Sequence, residues 1–273
     1  MRLKVLAIIA DHPRNLAFLK VISKNIKISK LIIYKRENLI PEPPKYIDQE
    51  LTNLWKLHFK KRKKLEKKYF KSKSNILKKF KKKTIIDSTK NLNSKKIYKI
   101  AKDKNFDLCF ISGVPIIKKE LLSVLPKYTI NLHLGLIPYY KGSITGFWPF
   151  YFMQPTMMGT TYHIIDQKVD TGEIIHQNRP ILKRGDSMHE VSCRALETAL
   201  KDFPKVLRFL KDRLKKNEKP KLNKSLKNKG KIFKNSDWNP EMLKRIYNKY
   251  NDKIVDLYLD KKIKSKTVKL VKI

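Results

Sequence analysis

Three polar side chains have the types and placement to do chemistry: Asn131, His133 and Asp170. Asn131 and His133 stand two residues apart in the strand-like run INLHL (130–134), so they share one face of that strand. The run PYYKG (138–142) then stops the strand in a loop and leaves both near its end. Asp170 opens the turn-like run DTGE (170–173). An amide donates hydrogen bonds, an imidazole relays protons, and a carboxylate orients or charges an imidazole. Each residue also has a plainly structural reading. Asn131 can cap a loop, His133 can be a half-buried strand histidine, and Asp170 can form a turn. The residue types alone leave both readings open.

The elements around them show where such a group would sit. LKVLAIIA (3–10) reads as a fully buried parallel strand, DHPRN (11–15) as a loop and NLAFLKVISK (15–24) as the first helix. KISKLIIY (27–34) is a second strand, followed by the proline-rich loop LIPEPPKY (39–46). From Leu51 to Phe80, apolar residues recur mostly every three or four positions among many lysines, which predicts one or two basic amphipathic helices. TIID (84–87), FDLCFISG (106–113), INLHLGLIP (130–138) and GTTYHIIDQ (159–167) are further strands. Helices are predicted over 94–105 and 115–126, and over 143–156 with a break near Pro155. The run VDTGEIIHQNRPI (169–181) reads as a turn and a partly exposed strand. Ser187, with Glu190 three residues on, makes a capping-box start to a long helix with one proline break. Strands alternating with helices predict an α/β chain with an open, mostly parallel sheet. In such sheets the working crevice lies beyond the carboxyl ends of the strands, where Asn131 and His133 fall.

The chain has 273 residues, enough for one large α/β domain with a small appendage. Its division is read as a catalytic domain over 1–215, with a helical insertion at about 48–80, and a basic linker with a helical extension over 216–273. The extension is expected to pack back on the core or on a second copy, forming a homodimer. Two cysteines, Cys109 and Cys193, supply no disulfide framework, and the six histidines show no metal-ligand spacing, so no metal is expected. With no convincing leader or membrane span, these features predict a cytoplasmic protein. The formal charge of +40 is carried overwhelmingly by lysines spread over the whole chain. Base and phosphate readers favour arginine forks, so the lysines read as compositional drift without a specific nucleic-acid site.

The run NLHLGLIPYYKG (131–142) resembles the signature of the folate-dependent formyltransferase superfamily, which includes glycinamide ribonucleotide, methionyl-tRNA and sugar-nucleotide N-formyltransferases. A second block, HIIDQKVDTGEII (163–175), resembles that family's aspartate followed by Thr-Gly. The resemblance covers about 106–177 well and the first strand loosely. It implies a Rossmann-like formyltransferase fold and 10-formyltetrahydrofolate as cosubstrate. It implies that Asn131 donates to the carbonyl oxygen as charge develops, worth about 2.7–4 kcal/mol by analogy with oxyanion holes. His133 would support the same charge or relay a proton, and Asp170 would charge the imidazole and help take the amine's proton. Gly113, Val114, Pro115, Ile165, Asp166, Val169, Thr171 and Gly172 would line the folate. The chain departs from the family pattern at Gly135, often serine there, and at Lys141, usually arginine.

The resemblance leaves the acceptor open. Relatives acting on glycinamide ribonucleotide carry a glycine-rich loop after the first strand, whereas this chain has DHPRN. Transfer-RNA formylation implies a β-rich second domain, whereas residues after Lys216 read as helical. A small amine such as an amino sugar nucleotide is therefore the expected acceptor. The alternatives are methionyl-tRNA, glycinamide ribonucleotide and a noncatalytic RNA-binding or scaffold relative. His58, Arg62 and Glu66 recur every four residues and share one helix face. That face is either a solvated ion-pair ladder or part of the acceptor site. Arg14, His58, Arg62, Ser143 and His163 are the acceptor-side candidates, because a glycine-poor loop needs side-chain cations to hold an anion.

Overall fold

A computed structural model describes residues 3–70, 76–80, 82–86, 91–103, 105–220 and 230–273. Part of the expected insertion (71–75), the end of the TIID strand (Asp87) and most of the expected linker (221–229) lie outside the described residues.

The expected sheet forms. Seven strands take the order β3-β2-β1-β4-β5-β7-β8. β1 (Val5–Ala10), β2 (Lys30–Tyr34), β3 (Lys83–Ile86), β4 (Leu108–Ser112) and β5 (Tyr128–His133) run parallel. β7 (Thr160–Ile164) joins β5 antiparallel, and β8 (Ile174–Asn178) joins β7 antiparallel. Alternation along β1 divides the core. Val5, Ala7 and Ile9 face α1 (Pro13–Asn25) and α6 (Met188–Lys215), while Leu6 and Ile8 face α3 (Lys95–Lys102) and α4 (Lys119–Leu122). Phe18, Phe110, Tyr162 and Phe203 interlock between sheet and helices in the first layer. Cys109 fills the second.

Several elements differ from their sequence reading. α1 begins at Pro13, inside the expected loop, because proline suits a first helical position. Within the segment expected to form one or two helices, α2 runs over Gln49–Phe70 and residues 76–79 form a 3-10 turn. α6 runs through Pro204 without the expected break. The lost ladder bond is outweighed by the buried row Phe203, Val206, Leu207 and Leu210. Its Ser187 hydroxyl does accept the Glu190 N–H. β8 is buried throughout rather than partly exposed, because the chain end lies against it. Gln177 N donates to Val271 O at 2.8 Å, and Ile273 N to His176 Nδ1 at 3.3 Å. The 143–156 helix shrinks to α5 (Trp148–Tyr151) and a 3-10 turn at Pro155–Met157.

The extension packs on its own chain. α7 (Met242–Lys244), a π turn (Arg245–Lys249) and α8 (Ile254–Leu259) bury Leu243, Ile246, Tyr247, Ile254 and Val255 against Leu51, Leu54 and Trp148. β9 (Lys231–Phe233) pairs in parallel with β6 (Tyr140–Gly142), the stretch that follows the INLHL strand. Phe233 stacks on Tyr140 and Trp148 there.

Candidate active site

β5 carries Asn131 and His133 to its carboxyl end between two unlike neighbours. β4 runs parallel to it, with Ile111 opposite Asn131. β7 runs antiparallel, and its register sets His163 directly opposite Asn131. Cross-strand partners share a face, so the two side chains meet, with Asn131 Nδ2 3.2 Å from His163 Nε2. Asp170 completes the group from the turn between β7 and β8. Its backbone is left-handed (φ 51°), a conformation aspartate tolerates better than most residues. Its Oδ1 is 3.3 Å from His163 Nε2 and its Oδ2 is 3.5 Å from His133 Nδ1. Oδ2 also accepts the Gly142 N–H at 2.7 Å, so β6 holds the carboxylate in place.

His163 was expected on the acceptor side. It is instead 1% exposed and sits between Asn131 and Asp170 as a fourth member of the group. The sequence placed it seven residues before Asp170, but its role depends on strand pairing that spacing does not reveal. The tautomers follow from partners that only accept. His133 Nε2 lies 2.9 Å from Tyr140 O, so it carries a hydrogen and leaves Nδ1 toward the carboxylate. His163 Nδ1 donates to Ile164 O at 3.1 Å, while its Nε2 faces both the Asn131 amide and the Asp170 carboxylate.

Burial alone would raise the Asp170 carboxyl. His133, His163 and the Gly142 N–H more than reverse this and hold it well below the usual aspartate range. The carboxylate is therefore charged and acceptor-only at neutral pH. Lys141 is 1% exposed. Burial pushes its ammonium down, and the Asp170 charge opposes that shift.

Gly135 explains itself in this setting. A Cβ there would lie 2.6 Å from His133 Nε2 and 2.8 Å from Tyr140 O, so the imidazole occupies the space a side chain would need. At Gly172 a Cβ would strike Ile164 O, so the close approach of the neighbouring strand requires glycine there. Asp166 builds the same loop, accepting from Thr171 Oγ1 at 2.6 Å and Lys168 N at 3.1 Å, and Thr171 is buried. Ile165 and Val169 are half-buried on this loop. Gly113, Val114 and Pro115 follow β4 at the carboxyl-end side of β5, whereas the 165–172 loop leaves β7 beside Thr129 and returns to bring Asp170 to His133.

The remaining acceptor-side candidates separate. Ser143 is tied by its backbone: its N–H donates to Phe233 O at 2.7 Å and its carbonyl accepts Trp148 Nε1 at 3.0 Å. Neither it nor Thr145, whose hydroxyl donates to Leu134 O, caps α5. Trp148 is core. The His58–Arg62–Glu66 face is not a solvated ladder: the extension covers His58, and Glu66 is buried against Arg14. His58 is 6% exposed, bonds Tyr247 Oη through Nδ1 at 2.9 Å and packs 4.5 Å from the His189 ring. It is an internal strut and is closed to an acceptor. Arg14 and Arg62 do come near one another. Arg14 Nη1 pairs with Glu66 Oε1 at 3.1 Å, and Arg62 Nη2 donates to Leu39 O at 3.1 Å. Burial and the nearby Arg14 charge lower Arg62 to about 10. Among the described residues no His/Cys/Asp/Glu group is placed to hold a metal ion, and no helix is long and apolar enough to cross a membrane.

The formyl transferase family model matches residues 53–207, more than half the chain and the whole stretch carrying the four grouped residues. The chain belongs to the formyl transferase family. Among relatives in this family, it is 31% identical over 97 residues to the methionyl-tRNA formyltransferase of Borreliella afzelii. That match spans 35% of this chain and 30% of the relative's length. Solved formyltransferases share the fold. A sugar N-formyltransferase from a Shewanella species superposes with a TM-score of 0.54 at 18% identity, covering 86% of this chain and 78% of its own. The phosphoribosylglycinamide formyltransferase of Anaplasma phagocytophilum does so at 0.54 and 18%, covering 78% and 88%. The Helicobacter canadensis N-formyltransferase, in complex with folinic acid and dTDP-3-aminofucose, superposes at 0.52 and 20%, covering 89% and 79%.

Proposed function

We propose that this chain transfers the formyl group of 10-formyltetrahydrofolate to the amine of a small, sugar-like acceptor. The observation that carries the reading is the convergence of Asn131, His133, His163 and Asp170 at the carboxyl end of β5. Family membership and the folinic acid and amino-sugar nucleotide of the Helicobacter relative support the choice of donor and acceptor.

The folate supplies an activated formyl carbon when bound, and the loops at 113–115 and 165–172 are the surfaces that would hold it. The protein does the rest. Asn131 turns its amide hydrogens from His163 to the formyl oxygen as that atom gains charge. His133, backed by the charged carboxylate of Asp170, would receive the proton leaving the amine and return it to the folate nitrogen as the bond from that nitrogen to the formyl carbon breaks. The buried setting of these groups strengthens each charge interaction. Incubation with 10-formyltetrahydrofolate and a panel of amino sugar nucleotides, free amino acids and charged transfer RNA tests this. The expected result is a mass gain of one formyl group on an amino sugar nucleotide. Formylation of transfer RNA alone, or of none of the panel, would refute it.

A further inference from the structure

The loop between β5 and β6 (134–139) joins His133 to Tyr140, whose carbonyl accepts the imidazole's Nε2 hydrogen. Where the loop lies therefore decides where the ring lies. Two buried side chains on the antiparallel strands hold it. Thr161 of β7 donates its hydroxyl to Gly135 O at 2.7 Å and accepts from Ile137 N at 3.2 Å. Its register partner on β8, Gln177, is 3% exposed and donates from Nε2 to Ile137 O at 2.7 Å and to Thr161 Oγ1 at 3.2 Å. These partners fix the orientation of the Gln177 amide. A carbonyl only accepts, and Thr161 has given its own hydrogen to Gly135, so the amide nitrogen must face both. The amide oxygen then points outward and accepts the Val271 N–H at 3.1 Å.

Val271 belongs to a strap, residues 265–272, that crosses from Thr156 to the outer edge of β8. Its backbone is tied along the way. Lys266 O accepts the Thr156 hydroxyl at 2.6 Å, Val268 O accepts Arg179 Nη2 at 3.0 Å, and Val271 O accepts Gln177 N at 2.8 Å. The strap also meets the loop directly, with the Lys266 ammonium 4.5 Å from the centre of the Tyr139 ring. Gln177 is the joint between the two segments: its amide hydrogens hold the loop and its amide oxygen holds the strap. Hydrogen bonds that share one buried side chain strengthen one another, and removing that side chain strands the buried Ile137 carbonyl.

We infer that Gln177 is a positioning residue for His133, through which the strap at 265–272 sets the loop that aligns the imidazole. The inference rests on the proposed role of His133, but one arm of its test needs no substrate. Nitrogen-15 NMR of the full chain reads the His133 tautomer, with the hydrogen on Nε2 in the wild type. Gln177→Met keeps the side chain's length and removes both polar ends. Val271→Pro removes the one strap N–H that the Gln177 oxygen accepts. In both variants the His133 signals should move toward a mixture of tautomers, while His12, whose Nε2 faces Glu37 O, stays unchanged. Turnover with an acceptor from the amine panel should fall about tenfold or more, with both Michaelis constants within about twofold. Val271→Ala, which keeps the N–H, should match the wild type. The two changes combined should be no slower than Gln177→Met alone, because the joint is already open. A wild-type tautomer and wild-type turnover in folded Gln177→Met would overturn the inference, as would losses that simply multiply in the double variant. If Gln177→Met does not fold, Val271→Pro decides alone. A tautomer change in a chain that formylates no amine of the panel would uphold the joint and remove the transferase reading instead.

Discussion

Adding one methyl group at position 135 tests where the candidate catalytic imidazole lies. The new Cβ of Gly135→Ala would stand 2.6 Å from His133 Nε2, 3.1 Å from its Cδ2 and 2.8 Å from Tyr140 O. Comfortable contact needs about 3.5–4.0 Å, so the ring must retreat by about 1 Å. That movement breaks the 2.9 Å bond to Tyr140 O and alters the 3.5 Å approach to Asp170. Misplacing a reacting group by about 1 Å costs on the order of 10²-fold in rate, and overpacking costs about 1–3 kcal/mol in stability. Turnover with an acceptor from the amine panel should therefore fall about 10²-fold, with a modest drop in melting temperature. Affinity for a folate analogue should hold, because the folate loops are untouched. Gly135→Ser should behave alike, although serine is common at this place in the family pattern. Wild-type turnover in either variant would show that the ring lies elsewhere and would sink the proposed role of His133.

Asn131→Ala should fold and bind a folate analogue yet lose about 10²–10³ in turnover; a loss below about threefold would exclude it as the oxyanion donor. Asp170 makes a pH prediction. Its folded pKa lies below its unfolded value near 4, so its stabilisation is complete above about pH 4 and disappears as pH falls through the folded value. Urea denaturation of wild type and Asp170→Asn should therefore differ at neutral pH and converge in strong acid; a constant difference would contradict the depressed carboxyl. Transfer-RNA binding should be weak and vanish between about 50 and 200 mM salt in a filter assay, since the lysines form no dedicated site; tight, sequence-selective binding at physiological salt would contradict this.

The strand pattern was legible because buried parallel strands read as continuous apolar runs, and LKVLAIIA and DLCFIS could hardly be anything else. Asn131, His133 and Asp170 were visible as types at telling positions. His163 was visible as a type but misplaced, since only the antiparallel β5–β7 register puts it opposite Asn131. The burial of His58 and β8 was hidden for a related reason. Both are covered by residues near the chain end, Tyr247 and 271–273, some 94 to 189 positions away, and local periodicity carries no information about such lids. His12 was read as a loop residue and Asn15 as the junction between that loop and the first helix, whereas the helix already begins at Pro13.

The pairing of β9 with β6 has a consequence for when the site comes into being during synthesis. A ribosome that has made residues 1–215 has already supplied Asn131, His133, His163 and Asp170. It has not yet supplied Phe233, whose carbonyl accepts the Ser143 N–H and whose ring packs on Tyr140. Tyr140 O and Gly142 N are the backbone atoms that anchor His133 and Asp170, so the loop bearing them is fastened late. The nascent chain thus has its reactive groups well before it has the brace that aligns them. Alignment of the site therefore waits on residues 231–233, some sixty positions after Asp170 has been made.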